Sequence, residues 1–307
     1  MSQATSIART EDRPEPGHTS ALYAHAKLLR PSQWVKNAFV GAPLFFTPER
    51  IGAETVLTVG AGLVCFCALS SAVYILNDYL DRETDRLHPE KRNRPLAAGT
   101  VTPGVACVML VLLAFGGLVG AFLLTPAFAG IAGAYLTVNI AYSIWLKHVA
   151  ILDVMCIASG FVMRVIGGAA LAGVAPSVWI IVCTGLLACF LAVAKRRDDL
   201  IKNLGTDHRK SLDGYTRPYL DTVMTICLGA LMVSYLIYTT ESEVIARLGT
   251  DKLYLTAPFV LAGVMRYLQI TMVEEKSGSP TKIVLTDRFL RLACVGWLAM
   301  FSALIYL

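Results

Sequence analysis

Nine stretches of roughly twenty apolar residues, parted by short polar joins, limit this chain to very few folds. A helix of about that length crosses the hydrocarbon core of a bilayer. In lipid, only helices and closed barrels satisfy every backbone N–H and C=O. The period-two alternation of a membrane barrel is absent. Composition agrees: 55% of the 307 residues are hydrophobic and only 16% charged, against roughly 25% charged in soluble domains. The expected fold class is therefore all-α integral membrane, a nine-helix transmembrane bundle. The predicted spans are 33–50, 55–77, 101–124, 127–146, 150–172, 177–196, 219–240, 253–271 and 288–306. Lys36, Asn37 and Pro43 interrupt the first of these.

The N-terminus is polar, carries Pro14 and Pro16, and lacks the apolar core of a signal peptide. Residues 1–26 read as a disordered cytosolic tail and 27–307 as one transmembrane domain. All eight cysteines fall in apolar runs with no CxxC pair, which reads as free thiols acting as small apolar residues.

Basic residues set the orientation, because cytoplasmic loops carry an excess of Lys and Arg. With the N-terminus inside, the connection 77–100 brings Arg82, Arg86, Lys91, Arg92 and Arg94 to the cytosol. The connection 195–218 brings Lys195, Arg196, Arg197, Lys202, Arg209, Lys210 and Arg217, and the eighth-to-ninth join adds Lys276, Lys282 and Arg288. The other side holds only Arg50, Arg247 and Lys252. Both long connections are too short for a soluble domain and too charged for simple turns. The net charge of +5 suits anionic lipid and phosphate; nothing in the pattern points to nucleic acid.

Within the first connection, "NDYLDRETD" places Asn77, Asp81 and Asp85 at i, i+4 and i+8. Each step of four turns a helix by about 400°, so the three share one face with slight drift. Such a row of oxygen ligands, mutually repelling, calls for a cation, and hard oxygens with room for water and phosphate suit Mg²⁺. Asp78 lies about 100° from Asn77 and could serve a second ion or a neighbouring helix. A solvated loop with ordinary charges is the alternative, weakened because the row begins inside an apolar helix, where charge is costly. Lys91, Arg92 and Arg94 can meet phosphate oxygens, or simply supply the positive-inside signal. In the second connection Lys195, Arg196, Asp198 and Asp199 stand where a span meets the cytosol. Tyr215 and Arg217 can grip a phosphate or anchor the interface. Lys147 ends the fourth span, Asp153 lies just inside the fifth, and Arg164 sits in the middle of the fifth, where a charge faces a polar cavity or a buried partner. Lys36 and Asn37 can point into the same cavity.

These motifs resemble the UbiA superfamily of intramembrane prenyltransferases, whose first aspartate-rich motif is NDxxDxxxD. The resemblance covers nearly the whole chain and implies a bundle that binds a Mg²⁺-diphosphate at the cytosolic mouth of a lipid-open cavity. The usual second motif, DxxxD, is altered: Lys195 stands at its first aspartate and Asp199 at its second, in "KRRDD". With "LRPSQWVKN", "HPEKRNRPLAAG", "LKH", "RVIGG" and "SLDGYTRPYL", the chain is similar to the decaprenyl-phosphate phosphoribosyltransferase branch, with relatives in rhizobia linked to arabinosylation of nodulation signals. The resemblance implies a multi-pass enzyme of the bacterial plasma membrane that moves 5-phosphoribose from phosphoribosyl diphosphate to a polyprenyl phosphate, for a lipid-linked D-arabinose donor. Asn77, Asp81 and Asp85 are then the catalytic, metal-holding residues, with Asp78, Asp198 and Asp199 as further metal ligands. Lys36, Lys91, Arg92, Arg94, Lys147, Arg164, Lys195, Arg196, Tyr215 and Arg217 are substrate-binding. A homo-oligomer is compatible with this reading. The rival expectations are an aromatic prenyltransferase of the same fold, acting on a ring such as 4-hydroxybenzoate, and a non-catalytic membrane transporter or scaffold.

Overall fold

The computed structural model describes residues 21–89, 91–202, 210–275 and 280–307; the predicted tail therefore lies outside the described residues up to residue 20, and from Ala21 the chain is helical (Ala21–Leu29). Arg209 and Lys276 of the basic joins also lie outside them. Among the described residues there is no strand, and eight helices are long and apolar enough to cross a membrane. They are α1 (Ala53–Leu80), α2 (Pro103–Leu124), α3 (Pro126–Ile144), α4 (Leu152–Ala172), α5 (Val178–Ile201), α6 (Arg217–Thr240), α7 (Leu253–Met272, its first turn, Leu253–Thr256, 3₁₀) and α8 (Arg288–Tyr306).

The local sequence explains where these helices start. Thr102, Thr125, Thr216 and Asp287 each accept a hydrogen bond from the backbone N–H three residues on, at the heads of α2, α3, α6 and α8. Each such cap satisfies one of the four donors a helix leaves open, typically worth about 1 kcal/mol. Pro103, Pro126 and Pro218 follow in the first turn, where a missing N–H costs nothing. Gly173, at φ 65°, ends α4 in the left-handed conformation that favours glycine.

The first predicted span is not one helix. Pro31–Val40 forms a 3₁₀ segment, Ala42–Phe45 a single helical turn and Pro48–Arg50 another 3₁₀ turn. Pro31, Pro43 and Pro48 each remove a donor and reset the chain. The segment still runs the depth of the bundle. At one end Arg30 meets Asp78 near the end of α1, halfway along Asn37 donates to Ser70, and at the other end the Phe45 carbonyl accepts from Tyr306 at the end of α8. The chain thus makes nine passes with eight continuous helices. Irregular backbone survives at membrane depth where protein covers it. Here α4 does so through Gly168: a Cβ there would lie 1.9 Å from the Val40 carbonyl oxygen, so only glycine lets the two backbones approach.

Successive helices alternate in direction, which brings both charged connections to one end, as Lys147–Asp81 and Tyr215–Asp153 contacts attest. Helices α1 and α4 are the most enclosed, while α2 and α8 turn apolar surface such as Val111, Leu112, Phe115, Leu292 and Val295 outward. All eight cysteines are free; Cys107 and Cys294 are exposed on the apolar outer face. Ala24 and Leu28 of the N-terminal helix pack with Ile75, Leu96, Val101 and Ala106, fastening the first connection onto the end of α1.

Candidate active site

Helix α1 carries the acidic row out of the bundle. It kinks at Asp81 into a short helix, Arg82–Leu87, yet the hydrogen bonds from Asp81 N–H to Asn77 and from Asp85 N–H to Asp81 keep the helical register across the bend. Asn77 is half-buried. The Asp81 carboxylate, 36% exposed, receives Lys147 Nζ at 2.5 Å. Asp85 is buried and takes Arg94 Nη1 at 2.6 Å.

Asp78 does not stand apart from the row as the sequence suggested. Asp78 and Asp85 are seven residues apart, about 20° short of two full turns, and Arg94 Nη1 bridges them, 3.1 Å from Asp78. Arg30 Nη2 reaches the same Asp78 oxygen, Oδ1, at 2.5 Å. Asp78 is therefore spent on two guanidiniums. No three His, Cys, Asp or Glu side chains converge as a ready-made metal cage among the described residues. The donor set of Asn77, Asp81 and Asp85 nonetheless fits a hard divalent cation: it is all oxygen, Asp81 faces open space, and the positive charge now supplied by Lys147 and Arg94 is what a bound cation would supply.

Lys147 is buried at the turn after α3, while Lys91 is half-buried and Arg92 exposed. Deeper in, Arg164 is 6% exposed at mid-helix in α4. Its Nε donates to Asn37 Oδ1 (2.8 Å), Nη1 to the Gly160 carbonyl (2.7 Å) and Nη2 to the Tyr135 hydroxyl (2.9 Å). The rings of Phe66, Tyr135 and Phe161 surround it. Placing an arginine at this depth costs about 3 kcal/mol on insertion scales. Hydrogen bonds to a charged group return about 1.5–3 kcal/mol each, so these partners hold the side chain, but none of them neutralises it. Lys36, next in the chain to Asn37, adds a second basic residue to this stretch. The mouth therefore carries unbalanced positive charge going inward.

The second connection behaves differently. Lys195 is exposed. Arg196 is fully buried and its Nε meets Asp153 Oδ2 at 2.5 Å. Asp153 also accepts from the Tyr215 hydroxyl (2.6 Å) and from Ser211 (3.2 Å), and that hydroxyl accepts the Ile151 N–H. Ile151, β-branched, is held at φ 70°, a strained conformation that persists only when its surroundings enforce it. Burial and the hydrogen bond to Asp153 push the Tyr215 phenol well above its ordinary pKa. It thus stays protonated and pins the second connection to the head of α4; its hydroxyl is not turned to a phosphate. Asp198 is buried and pairs with Lys202, and Asp199 lies 3.5 Å from Arg196. Arg217 is drawn outward to Glu275 at 2.7 Å and is not brought to the mouth.

Three residues escaped the sequence reading. Arg30 precedes a proline and gives no periodic signal. Tyr135 looks like any aromatic in an apolar span. Arg197, fully buried, binds Asp221 and the Thr271 carbonyl, tying α5 to α6 and α7; its position about 100° round the helix from Arg196 was the available clue.

Residues 37–293 match the UbiA prenyltransferase family. The chain is 34% identical to the decaprenyl-phosphate phosphoribosyltransferase of Mycolicibacterium smegmatis, covering 91% of this chain and 92% of the relative. It is 28% identical to nodulation protein NoeC of Azorhizobium caulinodans, over 67% of each chain. In fold it is similar to a UbiA homologue from Archaeoglobus fulgidus solved with DMAPP and Mg²⁺, with a TM-score of 0.72 at 17% identity, covering 92% of this chain and all of that one. The motif, the bundle and these matches agree: the chain belongs to the UbiA prenyltransferase family.

Proposed function

We propose that this protein transfers 5-phosphoribose from phosphoribosyl diphosphate to a polyprenyl phosphate, at the cytosolic face of the plasma membrane. The observation that carries the reading is the unbalanced positive charge inside the mouth: among the described residues Arg164 has no carboxylate partner, and Lys36 stands next in the chain to its partner Asn37. A reaction that gathers a diphosphate, a 5-phosphate and a lipid phosphate needs more fixed positive charge than one handling a single lipid diphosphate. The family likeness to phosphoribosyltransferases at 33–34% identity supports the same chemistry. So does Lys195 at the place of a second-motif acid.

Asn77, Asp81 and Asp85 are the residues that would hold Mg²⁺ on the donor diphosphate. When bound, the ion offsets negative charge that builds on the diphosphate as the ribose C1–O bond breaks. The chain's own side chains do the rest. Lys147, next to Asp81, adds a cation on the leaving-group side. Arg164 uses three of its five N–H donors internally, which leaves two, with Lys36, for the acceptor's phosphate. That phosphate oxygen attacks C1 from the face opposite the leaving group, the C1–O electron pair departs with diphosphate, and the ribose passes through an oxocarbenium-like state. The acceptor is already anionic, so positioning suffices and no base is required. The outward apolar helices explain why a sugar transfer sits in a membrane: the isoprenoid tail stays in lipid.

The test is direct. Purified protein in detergent, given Mg²⁺, labelled phosphoribosyl diphosphate and polyprenyl phosphate, is expected to yield labelled lipid, and EDTA is expected to stop it. Turnover of a prenyl diphosphate with 4-hydroxybenzoate, and none of the ribosyl donor, would point to the aromatic branch instead.

A further inference from the structure

Beside the acidic row lies a cavity of about 520 Å³, within the ~300–1,000 Å³ range of small-molecule sites. The N-terminal helix forms one wall and the head of the broken segment another. Its charged lining is Lys27, Arg30 and Arg94 against one carboxylate, Asp78. Of this lining the sequence motifs named only Asp78, as a metal ligand, and Arg94, as substrate-binding; Asn77, Asp81 and Asp85 do not line it.

Its construction is that of an anion site. Asp78, 2% exposed, grips both guanidiniums from below and so aims them. Only one nitrogen of each is used for this: Arg30 Nη2 and Arg94 Nη1. The two side chains remain 24% and 27% exposed, so their other N–H groups border the cavity. Lys27 is fixed by its ammonium on the Asn93 carbonyl. Arg30 is held in the left-handed region, φ 53° and ψ 58°, a conformation in which the Cβ of a non-glycine residue is crowded. Strain of this kind persists where the surroundings enforce it and gathers at ligand sites.

We infer that the cavity between Arg30 and Arg94 receives the 5-phosphate of the ribosyl donor, and so selects a phosphorylated sugar. The inference rests on the proposed phosphoribosyl transfer. A terminal phosphate needs no metal where paired arginines meet it, and the carboxylate here is already committed to those arginines. The diphosphate at the other end of the same donor lies with Asp81, about one helical turn from Asn77 and three residues from Asp78 in the chain. One donor molecule thus spans two sites of opposite construction, one acidic and one basic.

The experiment compares two donors on the same preparations: phosphoribosyl diphosphate and ribosyl 1-diphosphate lacking the 5-phosphate. Wild type is expected to favour the phosphorylated donor in kcat/KM by ~10–100-fold, the worth of a charge-assisted hydrogen bond. Arg30→Gly, which relieves the left-handed backbone and leaves Asp78 its Arg94 partner, is expected to bring that ratio near unity. Arg30→Lys, keeping the charge without the fork, should fall between. Because both donors are read on one preparation, loss of folded protein cancels. A ratio unchanged in Arg30→Gly overturns the assignment, whether both donors slow together, as a diphosphate or lipid-phosphate role would require, or neither does. Failure of wild type to use either ribosyl donor overturns the underlying transfer reaction instead.

Discussion

Asp81 in the first charged connection keeps 36% of its side chain exposed and pairs with a lysine, whereas the ion pair at the centre of the second, Arg196–Asp153, is 1% and 0% exposed. Both connections join transmembrane helices at the same end of the bundle, and both mix acids with bases. In the first, every pair from Asp78 to Asp85 keeps one partner about a quarter or more exposed, and Arg30, Asp78 and Arg94 line a cavity. In the second, Arg196, Arg197 and Asp198 are buried, Arg196 against the equally buried Asp153 and the other two against the more open Asp221 and Lys202. One connection presents charge to a ligand and the other uses charge as a fastening. The largest expected effect follows from that contrast. Asp81→Ala should lower transfer by ~100-fold or more, the scale on which positioned catalytic groups act. Its thermal midpoint in detergent should move less than that of Asp153→Ala, since the Asp81 carboxylate is 36% exposed and water can take its place beside Lys147. An Asp81→Ala protein that melts far below wild type would erase the distinction.

The opposite signature is expected for the second connection. Asp153→Ala leaves Arg196 buried without its counter-ion and removes the acceptor for Tyr215 and Ser211. Removing one member of a buried pair costs about 3–5 kcal/mol, to be read as a lowered thermal midpoint. Activity per folded molecule should be affected less than in Asp81→Ala. Asp153→Asn, which can still accept from Tyr215, should recover part of the loss. If Asp153→Ala instead melted like wild type and lost only turnover, Asp153 would belong to the chemistry.

Much of this was legible in the residues. Apolar runs of bilayer length fixed the passes, and the basic joins assigned both connections to one end. The spacing of Asn77, Asp81 and Asp85 pointed to the mouth. The partnership of Asp78 with Asp85 was there too, in a separation of seven residues, but taking Asn77 as the reference hid it. What periodicity cannot give is the element a face meets. "KRRDD" reads as a cluster of solvent-seeking charges; only the packing of α5 against α4, α6 and α7 turns Arg196 and Arg197 inward. The broken first pass is similar. Its prolines and Lys36 argue against a regular helix, but that it still crosses the bundle depends on Gly168, more than a hundred residues away, granting it room.

Arg217 gives the comparison its smallest and finest test. It belongs to the second connection by sequence and stands two residues from Tyr215, a spacing that suits a phosphate grip or an interface anchor. The fold separates them: Tyr215 is 6% exposed and bound to Asp153, while Arg217 is half-exposed and reaches Glu275 at 2.7 Å, with Asp221 at the limit of contact. Asp221 keeps its stronger bond to Arg197. Arg217→Ala therefore removes an exposed pair and leaves the fastening whole. The expected cost is at most about 1 kcal/mol in stability, shrinking as salt is raised because exposed pairs are screened, with kcat and the KM for the ribosyl donor unchanged. A rise in that KM would mean that the outward arginine turns back to meet substrate, and the division between a presenting and a fastening connection would have to be redrawn through the middle of the second one.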